Sequence, residues 1–380
     1  MLLRNQTFVN APLAYMGDES GRVSTVHEKY LGWNVPPEHV DLIHPYWRGF
    51  PAPGKYWHLG MALIYTLLLM MSFVGNGCVI WIFSTSKSLR TPSNMFIVNL
   101  AVFDLLMAIE MPMLIINCFM ERMLAWEVGC NVYAVLGSVS GFGQAISNAV
   151  IAFDRYRTIS CPIDGRLNSK QAAVIIALTW FWVTPFTVLP LLQIWSRFTT
   201  EGFLTTCSFD YMTEDDDTRA FAMAIFIWAY LIPLCLICYF YSQLLKSICN
   251  HEKMLREQAK KMNVKSLVTN QDKERSVELR IAKVAFTIFF LFLLAWTPYA
   301  VVALTAVFGN RELLSPATTM VPAVFAKTVS CIDPWIYAIN HPRYRMELQK
   351  RCKWMGIHEP EPQHHETASA QTEKIKSDDA

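Results

Sequence analysis

Lys327 is the residue whose setting most clearly implies chemistry. It lies about fourteen residues into an apolar stretch running from about 313 to 340, so it sits at membrane depth if that stretch spans a bilayer. No carboxylate stands three or four residues to either side, and Asp333 is six residues away. Burial disfavours the charged form of an amine, and a neutral amine can attack an aldehyde to give an imine. A protonated imine in turn needs a counter-charge. The sequence beside Lys327 offers none, so the acid must come from elsewhere in the fold. The plainer alternative is a lysine buried against a distant acid for packing alone. Three other ionisable groups interrupt apolar stretches: Asp104, Glu110 and Asp333.

The elements that must position these groups are membrane helices. The chain has 380 residues, 53% hydrophobic and only 17% charged, and its net charge of +2 gives no argument for nucleic acid. Five stretches lack any Asp, Glu, Lys or Arg: Leu59–Ser86, Val128–Phe153, Gln171–Ser196, Ala220–Leu245 and Val284–Asn310. Each exceeds the roughly 20 residues a helix needs to cross a bilayer. With the interrupted stretches at about 94–119 and 313–340 there are seven. Hydrocarbon leaves their backbones no polar partners but their own, which predicts helices.

Basic connections at 85–93, 155–170 and 246–283, and a basic segment after Arg343, predict a cytoplasmic C-terminus and an extracellular N-terminus. The outer side carries consecutive acids at Asp215, Asp216 and Asp217. The first 20 residues lack an apolar core, so the first span is expected to serve as the insertion signal. Cys130, at the outer start of the third span, and Cys207, in the second outer loop, both face the oxidising side; a disulfide between them is expected. Asn5 opens a glycosylation sequon on the outer tail. The expected organisation is an outer tail (1–56), a seven-helix domain (57–340), a membrane-surface amphipathic helix (341–354) and a polar tail (355–380).

Phe325-Ala326-Lys327-Thr328 followed by Asp333-Pro334-Trp335-Ile336-Tyr337 resembles the retinal-attachment and seventh-helix signature of opsins. Gly75-Asn76, Asn99-Leu100-Ala101-Val102-Phe103-Asp104, Asp154-Arg155-Tyr156, Trp180, Pro233 and Trp296-Thr297-Pro298-Tyr299 fall in register with class A G-protein-coupled receptors. The resemblance narrows towards arthropod visual opsins. Leu31 to His39 and Ser84 to Asn94 look like segments of insect short-wavelength opsins. His251-Glu252-Lys253 and Gln258 to Val264 resemble the third inner loop of pigments that use a Gq-class G protein.

The resemblance implies an all-α seven-helix bundle, with a short eighth helix and a β-hairpin lid in the second extracellular loop. It implies 11-cis-retinal or 11-cis-3-hydroxyretinal on Lys327, in the plasma membrane of photoreceptor cells at the rhabdomere. It implies a receptor rather than an enzyme, no metal site, and arrestin and a receptor kinase as further cytoplasmic partners.

Tyr133 stands where vertebrate pigments have a Glu, and a tyrosine is mostly neutral at pH 7. The family's other acid corresponds to Glu201, six residues before Cys207, in a hairpin turning at Gly202. Glu201 is therefore the expected counterion. Expected pocket walls are Tyr133, Gly137, Ser138 and Gly141; Phe209 and Tyr211 from the lid; Ile225, Phe226 and Tyr230; and Phe292, Trp296, Tyr299 and Ala300. Glu110 is expected to tune colour, because insect ultraviolet opsins carry a lysine there; an acid favours a protonated, blue-absorbing chromophore. The plainer reading of Glu110 is an acid near a helix end.

Arg155 is expected to pair with Asp154 and Glu278, and Tyr241 and Tyr337 resemble the pair that stabilises the open form. Asp104 and Asp333 are expected to share a polar network of water or an ion. The run Arg343–Trp354 reads as a helix on the inner lipid surface, with Cys352 as a palmitoylation candidate. Three other readings fit the residues less well. In a chemically gated receptor Lys327 would lack a purpose; a photoisomerase fits poorly with Asp154-Arg155-Tyr156 and His251-Glu252-Lys253; a transporter would call for paired repeat halves, which are not seen.

Overall fold

The computed structural model describes residues 29–161, 164–261 and 270–358. Asn5 and the polar tail beyond 358 lie outside them. Seven long helices form a bundle: α1 (Lys55–Thr85), α2 (Pro92–Met120), α3 (Trp126–Ser160), α4 (Ser169–Leu191), α5, α6 (Asn270–Phe308) and α7 (Pro316–Asn340). α5 runs from Asp216–Phe226 through a π turn, Ile227–Leu231, into Ile232–Lys261. The turn falls just before Pro233, which has no N–H to donate to the preceding carbonyls. α8 (Pro342–Arg351) follows α7.

On length and hydropathy α1 to α4, Asp216–Gln258 and Ser276–Phe308 could each cross a membrane. α7 carries Lys327, Asp333, Pro322 and Pro334 inside it and takes its place as the seventh by packing against α6, α1 and α2. α3 is central, touching α2, α4, α5 and α6. Outward faces are apolar and exposed, as at Phe73, Phe181 and Phe290, which suits lipid contact.

Packing follows the motif residues. A Cβ on Gly75 would lie 2.6 Å from Cγ of Pro334, so this glycine permits the close approach of α1 and α7. Asn76 then donates to the carbonyl of Ser330 across that contact, at 2.7 Å. Asn99 donates to Ser147 and Thr179 and accepts from Nε1 of Trp180, joining α2, α3 and α4.

The lid is a two-stranded antiparallel hairpin, β1 (Phe198–Glu201) and β2 (Thr206–Phe209). Gly202 has φ +60°, which its lack of a Cβ makes easy at the turn. Cys207 is disulfide-bonded to Cys130 at the outer end of α3, with Cα atoms 5.4 Å apart. Nδ2 of Asn117 on α2 donates to the carbonyl of Thr205 at 2.8 Å, fixing the turn from a second side.

The outer segment before α1 is more than a tail. Between Lys29 and Gly54 two 3₁₀ turns, Pro37–Leu42 and Pro45–Gly49, form a cap on the lid. Ile43 bridges to Thr200, and Leu31, Ile43 and wholly buried Trp47 join a cluster with Leu204, Tyr211 and Ala306.

Candidate functional site

Nζ of Lys327 lies 2.6 Å from Oε1 of Glu110, which reaches across from α2. Both are buried, with Lys327 7% and Glu110 1% exposed. The acid that sequence reading assigned to colour is thus the direct ion partner of the amine. Burial across the bundle excludes the plainer reading of Glu110 as an acid at a helix end. Spacing could not reveal the pair, since it joins two helices distant in sequence. The rest of the amine's surroundings are soft: Sδ of Met107 lies 3.8 Å away and the face of Tyr133 is 5.1 Å from Nζ. Oε2 of Glu110 has no hydrogen-bond partner among the described residues.

Glu201 faces the same cavity from β1 and is 5% exposed. The hydroxyl of Tyr211 donates to its Oε2 at 2.5 Å. The hydroxyl of Tyr299 lies 3.2 Å from Oε2, and 2.6 Å from Oγ of Ser208. Burial pushes the Glu201 carboxyl above the ordinary range, while the Tyr211 hydrogen bond opposes that shift.

Two adjoining cavities extend from this cluster. The first holds Lys327, Glu201, Tyr133, Gly137, Ser138, Phe209 and Trp296 in its wall. The second is bounded by Gly141, Ile225, Phe226, Tyr230, Phe292 and Ala300. Phe142, Phe209, Trp296 and Tyr299 line both. Every expected wall residue lines one or the other except Tyr211, which stands behind Glu201 as its hydrogen-bond donor. Sequence reading missed Met107 and Phe142, together with a set of small α7 residues, Ala323 and Ala326. Ala323 and Ala326 could have been found as the face of α7 that also carries Lys327.

At the end of the bundle away from the lid Arg155 is buried between two carboxylates. One guanidinium nitrogen contacts Asp154 and the other lies 3.1 Å from Glu278 on α6. The fork is thus divided between two acids rather than bidentate on one. Sequence reading missed a third member: Arg343, at the start of α8, reaches Oε1 of Glu278 at 2.9 Å. Tyr241 donates to the carbonyl of Ala282, and Tyr337 packs edge-on to Phe83. Tyr156 stacks on Phe240.

His251, Glu252 and Lys253 lie on the extension of α5 beyond the bundle, with the last two exposed. Asp104 accepts from Gln144 at 2.8 Å, while both carboxylate oxygens of Asp333 are buried with no hydrogen-bond partner among the described residues. Cys352 caps α8 and is half-buried.

Residues 75–337 match the 7 transmembrane receptor (rhodopsin family), and the chain belongs to that family. Among its members it is 75% identical over 379 residues, covering 100% of both chains, to the blue-sensitive opsin of Apis mellifera. It is 66% identical to Opsin-3 of Manduca sexta, over 89% of this chain and 88% of that one. The crystal structure of squid rhodopsin superposes with a TM-score of 0.78 at 31% identity, covering 84% of this chain and 92% of that chain. The chain is an insect-type opsin, a multi-pass membrane receptor of class A.

Proposed function

We propose that this opsin is a blue-sensitive visual pigment that carries 11-cis-retinal or 11-cis-3-hydroxyretinal on Lys327 and activates a Gq-class G protein. The observation that carries the reading is the buried amine of Lys327 in the wall of one of two adjoining cavities that share Phe142, Phe209, Trp296 and Tyr299. The cavities fit the group in kind: aromatic and small residues line them, with Lys327 in the wall of one. When bound, retinal supplies the absorption of light and a cis-to-trans change of shape.

The chain's own residues do the rest. Glu110 and Glu201 face positive charge at Nζ from the bundle and from the lid respectively, with Glu201 as counterion from outside the helices. The lid, tied down by Cys130–Cys207, keeps water from the amine. Trp296 contacts Gly141 closely enough to report a change of shape in the cavity to α6, where Pro298 interrupts the helix. α6 is held shut by Glu278 on Arg155, so its outward movement exposes Asp154, Arg155 and Tyr156 together with His251, Glu252 and Lys253 to the G protein. Arrestin and a receptor kinase then act on the same face. The proposed location is the rhabdomeral plasma membrane, N-terminus outside, with Asn5 glycosylated and Cys352 palmitoylated.

Blue rather than ultraviolet absorption is favoured by the acid at Glu110 and the blue-sensitive relative. The alternatives are an ultraviolet pigment and a retinal photoisomerase that does not signal. Expression of the chain, addition of 11-cis-retinal and spectra before and after illumination test all of this. A blue band that shifts with light, and light-dependent nucleotide exchange on a Gq protein, are expected. Absence of any visible or near-ultraviolet band would overturn the reading, and a purely ultraviolet band would overturn the colour. A light-shifting band with no nucleotide exchange would favour the photoisomerase.

A further inference from the structure

We infer that Glu110 is the base that takes a proton from Lys327 as the amine meets its aldehyde, and the acid that gives that proton to the departing oxygen. The inference rests on the proposal that Lys327 binds retinal, and assigns to Glu110 a role in loading beyond the tuning of colour.

The geometry has three parts. Oε1 of Glu110 is 2.6 Å from Nζ, within reach of direct proton transfer. Neither carboxylate oxygen has a hydrogen-bond partner among the described residues, so little besides the charge of the lysine stabilises the carboxylate. Met107 sulfur and the Tyr133 ring complete the amine's surroundings, and neither can accept its proton well. An ion pair taken out of water recovers its desolvation cost only with further hydrogen bonds to both partners. Lacking those, the proton between the two is free to move to Glu110 as an aldehyde approaches the amine.

The titratable groups facing the pair are Tyr65 on α1, Cys118 on α2, Tyr133 on α3 and Glu201 on the lid. The first three are neutral in their ordinary state. Glu201 already holds hydrogen bonds from Tyr211 and Tyr299, and no ion pair joins it to Lys327. Of the two acids in the site, Glu110 is the one in position to accept.

The step balances. An N–H bond of Lys327 breaks, its electron pair stays on Nζ, and an O–H bond forms on Glu110. That lone pair makes the bond to the aldehyde carbon. The aldehyde oxygen leaves as water with one proton from Nζ and the one held by Glu110. The carboxylate is thereby restored opposite a cationic nitrogen, and the site's net charge does not change.

The test uses the full chain without retinal, in detergent. Formaldehyde with cyanoborohydride methylates neutral amines, and peptide mass spectrometry reads Lys327 separately from exposed lysines. In the wild type Lys327 should be methylated, which shows that an aldehyde reaches it. In Glu110→Gln no carboxyl remains to give the departing oxygen its proton, so imine formation with added 11-cis-retinal should slow by about 100-fold, the lower range of general acid–base effects; Glu110→Asp should restore part of it. Equal loading rates in wild type and Glu110→Gln would overturn the inference. If Glu110→Gln does not fold, Glu110→Asp decides, and loading as fast as in the wild type would overturn it. Adding 11-cis-retinal to the same samples separates the two readings. Normal Lys327 labelling without any pigment would sink the chromophore proposal, whereas normal pigment with unaltered Glu110→Gln loading would sink the proton transfer alone.

Discussion

Nζ of Lys327 on α7 and Oε1 of Glu110 on α2 lie 2.6 Å apart in the interior of the bundle, while Glu201 on the lid borders the same cavity without an ion pair to the amine. The pair ties α2 to α7 at the depth of the pocket. Removing one member leaves the other buried without its opposite charge, so the two should be strongly coupled. Lys327→Met and Glu110→Gln are each expected to cost up to about 3 kcal/mol in the retinal-free protein. The double variant should recover most of that loss. Thermal unfolding in detergent across the four proteins measures the coupling, and strictly additive losses would argue against an ion pair.

Burial pushes the Glu201 carboxyl above its ordinary value. A raised acid stabilises the fold below its unfolded value of about 4.3, and that contribution is lost as pH rises through the folded value. The wild type should therefore gain stability relative to Glu201→Gln as pH falls from neutral. A stability difference that is flat with pH would contradict this. In the retinal-loaded protein, Glu201→Gln removes a negative charge facing Nζ, so the proton there should be lost at lower pH. Spectra recorded across pH report that loss, and identical titrations would remove Glu201 as counterion.

Glu278 holds both Arg155 and Arg343. Glu278→Gln weakens two charge-assisted contacts, worth about 1.5–3 kcal/mol each in ordinary settings. Nucleotide exchange on the G protein in the dark should rise by roughly tenfold or more. Arg343→Ala should act in the same direction but less, because it leaves the Arg155 contact in place. Dark activity unchanged by Glu278→Gln would show that the closed state is held elsewhere.

Gly141 has no room for a side chain. A Cβ there would lie 2.6 Å from Cη2 and 3.0 Å from Cζ2 of Trp296. Gly141→Ala should displace that ring into the cavity, cost about 1–3 kcal/mol as overpacking does, and lower the yield of pigment. Retention of full yield and stability would mean that α3 and α6 can part at this point.

Asp210 is held below the ordinary carboxylate range. Burial pushes it up, but the Thr213 hydroxyl, the backbone N–H groups of Met212 and Thr213, and Arg197 outweigh that effect. Its contribution is present above the unfolded value of about 3.9 and lost as pH falls through the folded value. Asp210→Asn should therefore loosen the lid at neutral pH and make little difference in strong acid. Proteolysis within the second extracellular loop at several pH values reads this directly.

Seven spans, the buried amine and most of the cavity wall were legible from sequence, because hydropathy and motif register are local properties of the chain. Lys327 itself stood out as a charge at the wrong depth. The hairpin was legible too, since Gly202 marks its turn and Cys207 its anchor. What no local pattern holds is which faces of distant helices meet. The side-chain partner of Lys327 depends on how α2 and α7 are rotated about their axes, and spacing within one helix tests only neighbours three or four residues away. For the same reason Arg343 on Glu278, Tyr211 behind Glu201 and the cap built on Trp47 required the folded chain. The sequence by itself determined that an amine lies buried inside a membrane receptor; the tertiary structure decided that Glu110 faces it at bonding distance while Glu201 stands on the lid.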